Sequence, residues 1–184
     1  MPHKVAVTVL GSDRPGIVCR VASLLSSLNC NIEDISQTVL QAEFAGMFVV
    51  AAPDELGVDD LRSELQQGLM DSGLHPFIKP IEPGPSQQPG PVEPFVVICI
   101  GKDRVGLIAA ITCVMKEHGV NITNLQFINR TPSFPERTVT IYEVDIPQSV
   151  RLSDFVDALQ AKASEVGLEA SVQHKRIFED ICRL

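Results

Sequence analysis

Polar and apolar positions along this chain alternate with two periods, and the switches between them mark out its elements. His3 to Leu10 (HKVAVTVL) is β-branched and alternating, which predicts a strand. From Pro15 onward, Ile17, Val18, Val21, Leu24, Leu25 and Leu28 step by three and four, the signature of one buried helix face. Proline is tolerated only in a helix's first turn, so this helix is predicted to begin near Pro15 and to end at Asn29 and Asn31. Ile32 to Leu40 and Phe44 to Ala52 read as two strands around a short turn. Val58, Leu61, Leu65 and Leu69 predict a second amphipathic helix stopped by Gly73, and Leu74 to Ile78 a last short strand.

The order β-α-β-β-α-β then recurs. Strands are predicted at 95–100, 121–130 and 137–146 and from Leu168, with helices near 105–118 and 152–166. The second unit carries four extra residues, placed within Arg130 to Glu136, where Pro132 and Pro135 predict a protruding loop rather than continued pairing. Residues 80–94 hold six prolines and two glycines and predict an extended, semi-rigid connection. The predicted organisation is therefore one unit over 1–80, a proline-rich linker over 81–94 and a second unit over 95–184. The fold class is α+β: two ferredoxin-like βαββαβ units, each an antiparallel four-stranded sheet with both helices on one face.

The repeat extends to individual residues. Gly11-Ser12-Asp13-Arg14-Pro15-Gly16-Ile17 followed by Asn31-Ile32 matches Gly101-Lys102-Asp103-Arg104-Val105-Gly106-Leu107 followed by Asn121-Ile122, in register and without insertion. Each copy joins the end of a strand to the start of a helix, which is where backbone N–H groups and the positive end of a helix dipole favour a carboxylate.

Composition narrows the function classes. A net charge of −8, with no clustered Lys/Arg stripe, argues against direct nucleic-acid binding. No apolar run approaches the roughly 20 residues of a membrane span, and the N-terminus carries no signal-peptide core. Cys19, Cys30, Cys99, Cys113 and Cys182 lack metal-ligand spacing. The first four match small or apolar residues in the other copy, which predicts free buried thiols and a reducing, cytoplasmic setting. His3, His75, His118 and His174 are scattered, and no Cys–His or Ser–His–Asp arrangement is suggested. The reading is of a protein without catalytic residues, metal or cofactor.

A strand ending in Gly-x-Asp-Arg-Pro-Gly-Ile, with Asn-Ile fifteen residues after the second Gly, resembles the ACT domain, an amino-acid-sensing module of metabolic regulation. The same segment also begins proteins similar to formyltetrahydrofolate deformylase and some phosphoserine phosphatases, for whose separate catalytic domain this chain has no residues left over. The resemblance implies a ligand site formed by Gly11, Asp13, Arg14, Gly16 and Asn31, and its counterpart formed by Gly101, Asp103, Gly106 and Asn121. Each residue has a structural reading beside this one. Gly16 and Gly106 either admit a ligand or neighbouring backbone, or let the helix pack on the sheet. Asp13 and Asp103 either contact an ammonium group or cap the helix. Asn31 and Asn121 either reach a ligand held by a neighbouring unit or end the helix in left-handed geometry. Arg14 and Arg104 either clamp a carboxylate or lie free on the surface.

In unit two Val105 replaces the proline and Lys102 replaces Ser12, so unit one keeps the pattern better. What the resemblance implies for function is an amino-acid-sensing regulator. Its ligand would be a small amino acid, glycine being favoured, and it would act on transcription through a DNA-binding protein partner such as a transcription factor. The alternative is a regulatory subunit that binds a metabolic enzyme directly. A homodimer is a further expectation.

Overall fold

Eight strands and five helices are assigned in the computed structural model, which describes residues 3–81, 90–131 and 134–182. They divide between two units, Met1–Ser86 and Gln87–Leu184. In unit one, β1 (His3–Ser12), α1 (Ile17–Ser27), β2 (Asn31–Leu40), β3 (Glu43–Ala52), α2 (Val58–Met70) and β4 (His75–Pro80) form an antiparallel sheet of order β2-β3-β1-β4. Unit two repeats it with β5 (Val92–Gly101), α3 (Leu107–Glu117), β6 (Asn121–Thr131), β7 (Phe134–Pro147), α4 (Leu152–Glu165) and β8 (Leu168–His174), in the order β6-β7-β5-β8. The antiparallel ferredoxin-like topology is the one predicted.

Strand alternation and helical spacing meet in each core. Val5, Val7 and Val9 of β1 and Phe44, Phe48 and Val50 of β3 pack with Ile17, Val21 and Leu25 of α1 and Leu61, Leu65 and Leu69 of α2. The second core matches it with Phe95, Val97 and Cys99, Tyr142, Val144 and Ile146, Leu107, Ile111 and Met115, and Phe155, Leu159 and Ala163. Burial pushes the Cys99 thiol up to about 12, and raises the Tyr142 hydroxyl through burial first and the neighbouring Cys99 second. Two of the thiols expected to be buried, Cys19 and Cys113, are exposed; Cys30 and Cys99 are buried, and all four are free. A small residue in the matching position of the other unit (Ala109, Ser23) does not by itself mark a core position.

The structure departs from the predicted elements in four places. First, α1 opens at Ile17, because Gly16 takes a left-handed φ of 94° that no helix interior allows; α3 opens the same way after Gly106, also at φ 94°. Second, the described residues of the expected Arg130 to Glu136 loop are strand, while 132 and 133 lie outside the described residues. Pairing continues to Thr131 opposite Phe134, with a register shift between Asn129 and Thr131. Pro135 is tolerated because β5 stops pairing at Gly101–Thr138, which leaves this end of β7 outside the reach of a second neighbour. Third, β5 starts at Val92, so the last three residues of the expected linker are strand; most of that linker, 82–89, lies outside the described residues. Fourth, a short helix not foreseen, α5 (Lys175–Cys182), follows β8 and packs on β5 and β8. Val96, on the side of β5 turned away from the main core, is buried, and Lys175 at the start of α5 pairs with Glu143 on β7 at 2.6 Å.

Candidate ligand-binding site

The turn between the first strand and first helix of unit one is held from three sides, two of which recur in unit two. Gly11 lies in β1 beside the α2–β4 turn: a Cβ there would fall 2.7 Å from the Gly73 carbonyl oxygen and 2.8 Å from a Leu74 methyl. Gly101 meets the same obstacle in unit two, 2.7 Å from the Gly167 oxygen. The next fixed point is Asp13, whose backbone N–H donates to the Ala42 carbonyl at 2.7 Å. Ala42 belongs to the two-residue β2–β3 turn, in which Gln41 and Ala42 both have positive φ (50° and 67°), as a tight hairpin turn demands. The third is Arg14, whose guanidinium donates to the Ser72 carbonyl at the end of α2. Arg104 runs to the corresponding turn, near Gly167.

Between this turn, the first turn of α1 and strand β2 lies a depression of about 300 Å³ lined by Asp13, Arg14, Gly16, Ile17, Val18, Cys19, Gln37 and Phe44. Unit two has its counterpart, about 440 Å³, lined by Asp103, Arg104, Gly106, Leu107, Ile108, Ala109 and Phe127. Seven positions correspond one to one across the repeat. In both, the helix N-cap is a glycine without a side-chain cap hydrogen bond. The leading amides of the helix therefore face the depression with no carboxylate or hydroxyl of their own chain upon them.

Residues 3–78 match the model of the ACT domain. The UPF0237 protein of Methanopyrus kandleri is 43% identical over 77 residues, which cover 41% of this chain and 86% of that protein. The chain belongs to the ACT-domain family. The glycine cleavage system transcriptional repressor of Escherichia coli is 27% identical over 174 residues, spanning 92% of this chain and 89% of its own length. A solved structure of an unknown protein from Galdieria sulphuraria superposes with a TM-score of 0.74 at 23% identity, covering 95% of this chain and 99% of that one, and so has the same fold.

Within each ACT unit the predicted residues are only partly brought together. Asp13, Arg14 and Gly16 line the first depression, and Asp103 and Gly106 the second. Gly11 and Gly101 do not line them; the close approach of the following turn accounts for glycine there. Nor is Gly16 or Gly106 a place where something presses close, since a Cβ on either would meet nothing within 4 Å. Their φ of 94° is what calls for glycine. The helix-capping reading of Asp13 and Asp103 fails, because no side chain caps α1 or α3. Asn31 is not the left-handed helix stop: Asn29 (φ 55°) takes that role, as Gly119 (φ 65°) does in unit two.

Asn31 and Asn121 lie far from the depressions of their own units. Asn31 pairs with Ala51, which pairs with Lys4, eight residues down β1 from Ser12. At a rise of about 3.3 Å per residue that is roughly 25 Å from the turn. Sequence reasoning missed Gln37 and Phe127, which sit at equivalent positions on β2 and β6. The offset of ninety residues pairs them, but only the sheet order puts the first helix of each unit beside that strand.

Among the described residues there is no group of His, Cys, Asp and Glu that could hold a metal, and no helix long and apolar enough to cross a membrane.

Proposed function

We propose that the protein is a non-catalytic, amino-acid-sensing regulator whose ACT units bind an amino acid in the depressions beside Gly16 and Gly106. The observation that carries this reading is the paired concavity: an uncapped helix N-terminus and an exposed aspartate occur at the same place in both units. Free helix amides suit a carboxylate, and the aspartate beside them suits an ammonium group. A zwitterionic amino acid supplies both charges at short separation. Asn31 and Asn121 take part only if supplied from outside the unit that holds the depression, for example by a second chain in a homodimer.

The regulated process is transcription, through a DNA-binding protein partner. Similarity to the Escherichia coli repressor along most of the chain supports that choice, and the net charge of −8 makes an indirect route the physically reasonable one. Glycine is the first ligand to test.

Thermal shift and calorimetry against the twenty amino acids test the binding. A ligand at a hundred times its dissociation constant stabilises the fold by about 2.7 kcal/mol. Asp13→Ala is expected to weaken binding in unit one about tenfold or more, with unchanged circular dichroism. Absence of any shift, or loss of binding only through unfolding, would sink the reading. Affinity capture of the intact protein tests the partner: recovery of a transcription factor supports the proposal, and recovery of a metabolic enzyme alone favours a direct regulatory subunit.

A further inference from the structure

The two depressions share a backbone frame but differ in the side chains around their mouths. In unit one the strand contributes Gln37 and the helix Cys19; at the same positions unit two has Phe127 and Ala109. Phe127 and Ile108, which line the unit-two depression, are both more than a third exposed, so its mouth carries apolar surface in contact with water. The aromatic residue of the unit-one depression, Phe44, is buried rather than exposed at the rim. The unit-two depression is also the larger, about 440 against 300 Å³.

We infer that the two sites have diverged in specificity: unit one takes a small or polar amino acid, and unit two takes one with a large apolar side chain. This rests on the amino-acid reading of the depressions proposed above. The helix amides proposed for the carboxylate and the aspartate proposed for the ammonium occur in both units, so discrimination falls to the groups around the ligand's side chain. Gln37 is exposed, and an exposed amide is solvated by water. A large apolar ligand would strip that water without replacing its bonds, whereas a small or hydroxyl-bearing one leaves or satisfies it. At Phe127 the balance reverses. The exposed ring and the Ile108 side chain gain only when apolar ligand surface covers them.

Calorimetry on the intact protein, with L-serine and L-phenylalanine as probes, tests the division. Gln37 and Phe127 sit on strands at the edge of their sheets with exposed side chains, so exchanging them leaves the cores alone. Each probe is expected to bind without displacing the other. Gln37→Phe should weaken serine about tenfold and leave phenylalanine unchanged; Phe127→Gln should weaken phenylalanine about tenfold and leave serine unchanged. Competition between the probes for one site, or equal losses for both probes in either variant, would overturn the division while leaving amino-acid binding intact. Binding of neither probe, nor of any other amino acid, would overturn both the division and the function proposed above.

Discussion

At the scale of single residues, the repeated glycines perform two different jobs that look alike in the sequence. Gly11 and Gly101 make room for a neighbouring carbonyl, whereas Gly16 and Gly106 hold a left-handed φ in open space. The two jobs predict different responses to the same substitution. Gly16→Ala imposes a left-handed conformation on an L-residue, so stability should fall by about 1–2 kcal/mol in denaturant unfolding with the fold retained. Gly11→Ala places a methyl 2.7 Å from the backbone oxygen of Gly73, which cannot move without shifting the α2–β4 turn. It should cost more, on the order of 1–3 kcal/mol from overpacking in addition to any backbone strain. Equal small effects at both positions would contradict the distinction. The aspartates teach a related lesson. An Asp four residues before a helix reads as a cap, but the left-handed glycine between them ends that possibility and leaves the carboxylate exposed.

At the scale of elements, the central strands of unit two carry titratable groups that unit one lacks. Cys99 on β5 and Tyr142 on β7 stand where unit one has Val9 and Phe48. Both have folded-state pKa values raised by burial. The unfolded chain therefore loses these protons first as pH rises, and the stability associated with the neutral groups is lost above about pH 9. Cys99→Val with Tyr142→Phe, which copies unit one, should flatten the alkaline limb of a stability–pH curve; an unchanged limb would contradict the assignment. The opposite sign holds at Glu143. Hydrogen bonds from Lys175 of α5 first, and from Asn124 second, lower its pKa below the ordinary carboxylate value of 4.5. That contribution is present above the ordinary value and fades as pH falls through the lowered one. Lys175→Ala should therefore reduce stability at neutral pH by up to about 1 kcal/mol, the range for partly exposed pairs, with a smaller difference in acid.

At the scale of the whole molecule, duplication supplies two copies of one strand–turn–helix frame, and net charge limits what the protein can touch directly. With 23 acidic against 15 basic residues, the protein should give no sequence-specific gel shift on its own at physiological salt. A nanomolar, salt-resistant complex with a defined DNA site would refute this.

Periodicity alone determined most of the fold. An apolar step of two and then of three to four buries one face of each strand and helix, and the repeat of residues ninety apart placed the same elements twice. The candidate turns were legible for the same reason, since glycine and proline restrict backbone geometry wherever they occur. Which residues meet around those turns was decided by the tertiary structure. The sheet order places Gln37 and Phe127 across from the helix N-termini and carries Asn31 to the opposite end of its sheet, through strand pairings distant in sequence. A strand's own pattern says which face a residue occupies but not what stands over that face. That depends on how its neighbours pack, as α5 does against β5 and β8 in unit two.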